Sequence, residues 1–327
     1  MKKIKLAIVG TNFIVNNFID AVNHLDVFEI TVLFTRNPKN IEKLNLDAKY
    51  VKVFSNFKHF CEEPSYEAVY VASPNYMHKE QSNKLLACGK HVLCEKPLAS
   101  NLKEVESMFN CADWHNAIIM EAMRPLYHMA TQAISEGVKR IGKLHFADLR
   151  FCQYSSRYDD FKNGVMHNAF NPNLSNGACM DIGIYPIELM VYLFDMPDRI
   201  HVFGDILDES IDAKGHLIAI FGQMLCQISY SKVSNSYLPC EIQGEEGALL
   251  FDKIPCCNKV WIIWKNGKES VLYDGLEHND MIYELEKFYE AIRYNDVNIN
   301  KDISIKSISI IDQLRAQLKI IFPADKE

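Results

Sequence analysis

Ala68-Val69-Tyr70-Val71-Ala72-Ser73-Pro74 and Gly89-Lys90-His91-Val92-Leu93-Cys94-Glu95-Lys96-Pro97 are two short apolar runs on either side of a segment with helical spacing, residues 77–88. Each run is continuous rather than alternating, as a strand covered on both faces must be. Gly89 closes the helix between them. Strand, helix, strand in this order is the repeating unit of a parallel sheet with helices packed on it.

Outward from this unit the same alternation continues. Toward the N-terminus, Ile4–Val9 is an apolar run ending at Gly10, residues 13–24 are helically spaced through Phe13, Asn17 and Ala21, and Phe28–Phe34 is a further run. Toward the C-terminus come a helix at Leu102–His115 and a strand at 117–120. Residues 1–122 therefore read as an α/β domain, a Rossmann-type doubly wound parallel sheet built to bind a dinucleotide.

The pattern changes at about residue 123. Helical spacing over 126–136 ends at Gly137, a strand covers 143–154, and a loop rich in Asn, Ser and Gly covers 163–177. A helix at Ile184–Phe194 is followed by strands at 201–207, 216–221, 225–232, 241–243, 248–251, 260–265 and 270–273, with turns but no helices between them. Two helices, 279–294 and 303–321, close the chain. Residues 123–327 thus read as an α+β domain with an open, largely antiparallel sheet. Such a sheet leaves an apolar face uncovered in a monomer and predicts a homo-oligomer, a dimer first.

Composition sets outer limits. The 327 residues are 48% hydrophobic and 24% charged with net charge -7, which fits a globular chain and excludes a general nucleic-acid footprint. No apolar run reads as a membrane span, and the short run after Met1-Lys2-Lys3 is too brief for a signal peptide. The ten cysteines are scattered with no Cys-x-x-Cys pair. They predict reduced thiols in a cytoplasmic protein and no metal site.

Several residues fall where such a sheet binds ligands, beyond the carboxyl ends of its strands. Gly10-Thr11-Asn12-Phe13-Ile14-Val15 lies at the first strand-to-helix turn, with only the first glycine of the dinucleotide fingerprint. Asn12 takes a left-handed conformation less readily than glycine. Phe34-Thr35-Arg36-Asn37 ends the second strand without the acid that would bind a ribose 2′-hydroxyl. Arg36 instead offers a planar fork for a 2′-phosphate, with the Thr35 hydroxyl beside it, so NADP is expected rather than NAD. Ser73, Pro74 and Asn75 end the third strand. His78 follows, either packed near the cofactor or buried as a structural histidine. Glu95 and Lys96 end the fourth strand. Pro97 keeps Lys96 out of the helical region, and a lysine partly desolvated near a cofactor can take part in proton transfer.

These residues, with Ala7-Ile8-Val9-Gly10-Thr11, Glu121-Ala122-Met123-Arg124 and Gly177-Ala178-Cys179-Met180-Asp181-Ile182-Gly183-Ile184-Tyr185-Pro186, resemble the glucose-fructose oxidoreductase / inositol 2-dehydrogenase / rhizopine catabolism (Gfo/Idh/MocA) oxidoreductases over essentially the whole chain. The flavour is closest to the dimeric dihydrodiol dehydrogenase branch. The resemblance implies hydride transfer between NADP, or NAD, and a carbinol or carbonyl carbon of a sugar-like, polyol or vicinal-diol substrate. It implies that Lys96 hydrogen-bonds the reacting oxygen, that Tyr185 is the general acid/base and that Asp181 faces the site. Arg124 joins the cofactor residues. A phenol with an ordinary pKa of about 10 suits proton donation at neutral pH. Read without the resemblance, Asp181 is equally a helix cap and Tyr185 a core aromatic. Tyr154-Ser155-Ser156-Arg157-Tyr158-Asp159 reads either as a wall of the substrate pocket or as a solvated loop. A sugar sensor or corepressor that binds a dinucleotide without turnover is the alternative function on the same scaffold.

Overall fold

A computed structural model describes residues 3–47, 49–207, 211–275 and 279–326. The chain forms two compact units, Met1–Met123 with Asn279–Ser304, and Arg124–His278 with Ile305–Glu327.

The first unit carries a six-stranded, all-parallel sheet. Its strands are β1 (Ile4–Val9), β2 (Phe28–Phe34), β3 (Lys52–Phe54), β4 (Ala68–Val71), β5 (His91–Glu95) and β6 (Ile119–Ala122), in the order β3-β2-β1-β4-β5-β6. The order reverses between β1 and β4, which is where doubly wound sheets open a crevice for ligands. Helices α1 (Phe13–Leu25), α2 (Phe57–Glu62), α3 (His78–Ala87) and α4 (Leu102–His115) alternate with the strands. β1 and β4 are apolar throughout because both faces are covered, and Leu6, Ile8, Val69 and Val71 are fully buried. α4 begins at a built cap: the Asn101 side chain accepts from Glu104 N at 2.9 Å, and the Glu104 carboxylate accepts from Ser100 N at 3.0 Å.

The second unit opens with α5 (Arg124–Tyr127) and α6 (Met129–Val138). After β7 (Leu144–Cys152) come α7 (Ser156–Lys162), a π-helical turn (Cys179–Gly183) and α8 (Ile184–Phe194). Then follow β8 (Arg199–Leu207), β9 (Ile211–Phe221), β10 (Met224–Ser231), β11 (Cys240–Gly244), β12 (Gly247–Phe251), β13 (Lys259–Trp264) and β14 (Glu269–Asp274). The eight strands run β14-β13-β12-β11-β7-β10-β9-β8. All neighbours are antiparallel except β7 and β10, which pair parallel from Leu225↔Phe146 to Ser231↔Cys152. α6 and α8 cover one face. In-register neighbours project to the same side of a sheet. The rows Phe146–Leu225 and Val271–Trp261–Leu250 therefore share the other face, where Phe146, Leu225 and Val271 are exposed.

Two helices close the chain, α9 (Met281–Tyr294) and α10 (Lys301–Leu318). The expected second domain of 123–327 differs from the compact units here. Asn279–Ser304 belongs with the first unit because α9 packs on α1: Asn279 Nδ2 donates to Asn17 O at 2.8 Å, and the Phe288 ring stacks 6.2 Å from Phe28. The stretch Pro172–Phe194 is long and apolar enough to cross a membrane, contrary to the reading that no run was. It is 72% buried within its unit, as a core helix is.

Candidate active site

In the first unit, Gly10, Thr11, Asn12, Phe13 and Ile14 follow β1, Thr35 and Arg36 follow β2, Ser73, Pro74 and Asn75 follow β4, and Glu95 and Lys96 end β5. Topology thus collects the expected cofactor residues of this unit along one edge of one sheet.

Gly10 is required at its position. Its φ is +109°, and a Cβ there would lie 2.7 Å from the Ala72 carbonyl oxygen, closer than any real side chain approaches. Asn12 does not adopt the left-handed conformation considered for it. It is extended (φ -77°, ψ 176°), and its Nδ2 donates to Ala72 O at 3.0 Å. The side chain therefore ties the β1 and β4 tips together instead of capping α1, and the first turn of α1 holds no acid. Uncapped N–H groups at a helix N-terminus attract anions. These features fit the pyrophosphate of a dinucleotide. Val15, where the third glycine usually stands, is a fully buried residue of the first turn of α1.

Thr35 is held within the turn after β2. It is buried, its N donates to Phe54 O at 3.0 Å, and its hydroxyl donates to Asn37 O at 3.2 Å and accepts from Asn37 N at 3.3 Å. The hydroxyl shapes the turn that follows β2. Arg36 is exposed, and among the described residues it forms no ion pair.

His78 resolves to its structural reading. It is fully buried, with Nε2 2.8 Å from Ser73 O and Nδ1 3.0 Å from Pro97 O. Burial pushes its imidazole pKa down, against the carbonyls of Ser73, Pro97 and Leu98, which favour the charged ring. The ring braces the β4 tip against the loop carrying Lys96. Glu95 is positioned by Tyr70, whose hydroxyl donates to Oε1 at 2.5 Å and whose ring stacks on Phe18 at 3.7 Å.

Glu121 was not anticipated as a site residue. It is buried at the end of β6, and Leu98 N donates to its Oε1 at 2.9 Å. Burial raises its carboxyl pKa most, while Ser304, the Leu98 N–H and the Lys96 charge pull it down and Glu95 adds to the rise. Lys96, half-buried, therefore sits in the field of two carboxylates. The signal was present: Ile118-Ile119-Met120-Glu121-Ala122 places a charge inside a strand that buries every neighbour.

In the second unit, Arg124 opens α5, Asp181 lies in the π-helical turn, and Tyr185 lies in the first turn of α8. Tyr185 is buried and meets the Phe151 ring edge-on at 5.7 Å. The Lys232 ammonium donates to Asp181 Oδ2 at 2.5 Å. The turn itself is anchored from below. Cys179 N donates to buried Asp212 Oδ2 at 2.7 Å, and a Cβ on Gly177 would lie 2.3 Å from Asp212 Oδ1. Burial raises the Asp212 carboxyl pKa, and hydrogen bonding from Cys179 opposes the rise. Gly183 leaves room for the Tyr230 ring, 3.2 Å from where its Cβ would stand. Lys232, Asp212 and Tyr230 escaped the sequence reading because each lies far along the chain from the turn it holds.

A parallel sheet with a switch point at β1 and β4 and a glycine that must be glycine there fit a dinucleotide-binding domain, and the chain belongs to the Gfo/Idh/MocA family of oxidoreductases. The family's NAD-binding Rossmann domain matches residues 4–123 and its C-terminal domain residues 127–250. The chain is 34% identical to scyllo-inositol 2-dehydrogenase (NADP(+)) IolU of Bacillus subtilis, covering 99% of each. It is 23% identical to trans-1,2-dihydrobenzene-1,2-diol dehydrogenase of Mus musculus, again covering 99% of each. Among solved structures, a 3-ketoreductase of Actinomadura kijaniata in complex with NADP and TDP-benzene shares the fold at TM-score 0.83 and 20% identity, covering 97% of this chain and 98% of that one.

Proposed function

We propose that this oxidoreductase transfers hydride between NADP and a CH–OH carbon of a polyol, sugar-like or vicinal-diol substrate. The observation that carries the reading is Lys96, placed at the β5 tip among Glu95 and Glu121 and braced through His78. An ammonium at this strand end can hydrogen-bond a substrate oxygen as charge develops on it. The bound nicotinamide supplies or accepts the hydride. Gly10 and the α1 N-terminus receive the pyrophosphate, Ser73, Pro74 and Asn75 border the cofactor, and Arg36 takes the 2′-phosphate. In the second unit Tyr185 exchanges the proton, Asp181 contacts substrate and Arg124 assists cofactor binding. The printed activities of the Bacillus and mouse relatives, on an inositol and on a diol, support this substrate class. The exposed row of Phe146 and Leu225 is covered by a second copy, making a dimer. All ten cysteines are free, which suits the reducing cytoplasm.

The test is turnover of inositols, aldoses and vicinal diols with NADP and NAD side by side, for wild type and Lys96→Ala. The reading expects NADP-linked turnover of at least one substrate, lowered about 10²- to 10⁴-fold by the substitution. Binding of NADPH with no turnover, unchanged by Lys96→Ala, sinks it.

A further inference from the structure

We infer that Lys232 is a positioning residue, whose buried ammonium fixes Asp181 and ties to it the segment 155–170 as a wall of the substrate pocket. This rests on the reading above, which places Asp181 in contact with substrate.

Lys232 follows β10 directly and joins three separate pieces of the second unit. Its main-chain N donates to Ala213 O at 2.9 Å, and its carbonyl accepts from Ser155 N at 2.8 Å, at the entry to α7. Its Nζ donates to Asp181 Oδ2 at 2.5 Å and to Ala169 O at 3.3 Å. The same Nζ lies 4.8 Å over the ring of Phe170. Phe170 is fully buried, with Phe161 and Tyr158 of α7 at 5.4 and 6.0 Å. One ammonium thus meets the π-helical turn, the 168–170 turn and, through Phe170, the apolar side of α7.

The asymmetry of the pair gives it direction. The Lys232 side chain is 3% exposed and that of Asp181 35%. The cation is sealed under protein, and the carboxylate faces outward. A buried ammonium needs its counter-charge, so Lys232 holds Asp181 Oδ2 in one orientation. A carboxylate fixed in this way accepts hydrogen bonds from hydroxyls, which suits a substrate carrying several of them. Neither role requires Lys232 to touch substrate.

The experiment is steady-state kinetics of Lys232→Met, Asp181→Asn and the double variant with a turned-over polyol, beside NADPH affinity by nicotinamide fluorescence. Lys232→Met should lower kcat/KM about 10- to 100-fold, mainly through KM, with NADPH affinity unchanged. The double variant should lose no more than the worse single one, because both substitutions break one interaction. It also removes both charges together and so folds even if Lys232→Met, which strands a carboxylate, does not. Wild-type kinetics in Lys232→Met overturn the proposal. So does a double variant whose loss is the product of the single losses. A wild-type protein inert with every polyol overturns the functional reading itself, and is distinct from an active wild type whose Lys232→Met variant is equally active.

Discussion

Arg36 stands exposed at the end of β2, forming no ion pair among the described residues, and no carboxylate follows that strand to receive a ribose hydroxyl. A charge-assisted fork of hydrogen bonds to a phosphate contributes about 1.5–3 kcal/mol. Arg36→Ala should therefore weaken NADPH binding about 10- to 100-fold while leaving NADH affinity unchanged, as titration calorimetry with both cofactors would read. An unchanged NADPH-to-NADH ratio removes Arg36 from cofactor choice. Glu121 yields a prediction of pH dependence. Its folded pKa is raised above the usual 4.5, with burial as the main cause. The folded state thus favours the protonated acid. That contribution is complete below the unfolded value and is lost as pH rises through the folded value, at about 1.4 kcal/mol per pH unit between the two. Glu121→Gln keeps an oxygen for Leu98 N but cannot ionise. Urea unfolding of wild type and variant across pH should show the variant gaining relative stability as pH rises above 4.5; parallel curves would contradict it.

α9 is a helix of the first unit, although it lies beyond the whole antiparallel sheet in the chain. Phe288, fully buried, reaches Phe28 on β2, so Phe288→Ala should cost about 3–5 kcal/mol. Hydrogen exchange should report the loss in β1, β2 and α1; a loss confined to β7–β14 would refute the placement. How far such elements were legible follows from their size and partners. β2, α4 and α8 were read at their observed ends, because each combines a strong period with a turn or breaker. β3 (Lys52-Val53-Phe54) was missed because three residues carry no period, and α7 was read as pocket wall or loop. The helical character of 279–294 was visible, but not which unit it packs on, since that depends on contacts more than two hundred residues away. At the site, residues at strand ends were legible because topology assigns them a place. Glu121 was visible only as a charge in an apolar run. The Lys232–Asp181 pair, separated by 51 residues, left no local pattern.

At the scale of the whole molecule, each unit carries its own part of the proposed machinery. The first carries the sheet edge built for a dinucleotide, the second the π-helical turn with Asp181 and the helix with Tyr185. The second unit's sheet ends laterally at β14 and β8, and α10 covers the β8 edge: Gln317 accepts from Val202 N at 2.9 Å and donates to Ile200 O at 3.2 Å. The exposed face of that sheet remains, and light scattering should give twice the 37.6 kDa chain mass. A monodisperse monomer would contradict the proposed dimer. The central claim is hydride transfer to a CH–OH carbon, and the most direct measurement follows the hydrogen itself. NADPH carrying deuterium at both C4 positions of the nicotinamide is incubated with the ketone form of a turned-over polyol, and the product is read by NMR and mass spectrometry. The account predicts one deuterium on the new carbinol carbon, delivered by wild type and scarcely by Lys96→Ala. Oxidised cofactor with no deuterium in the product, or transfer equal in the variant, would contradict it.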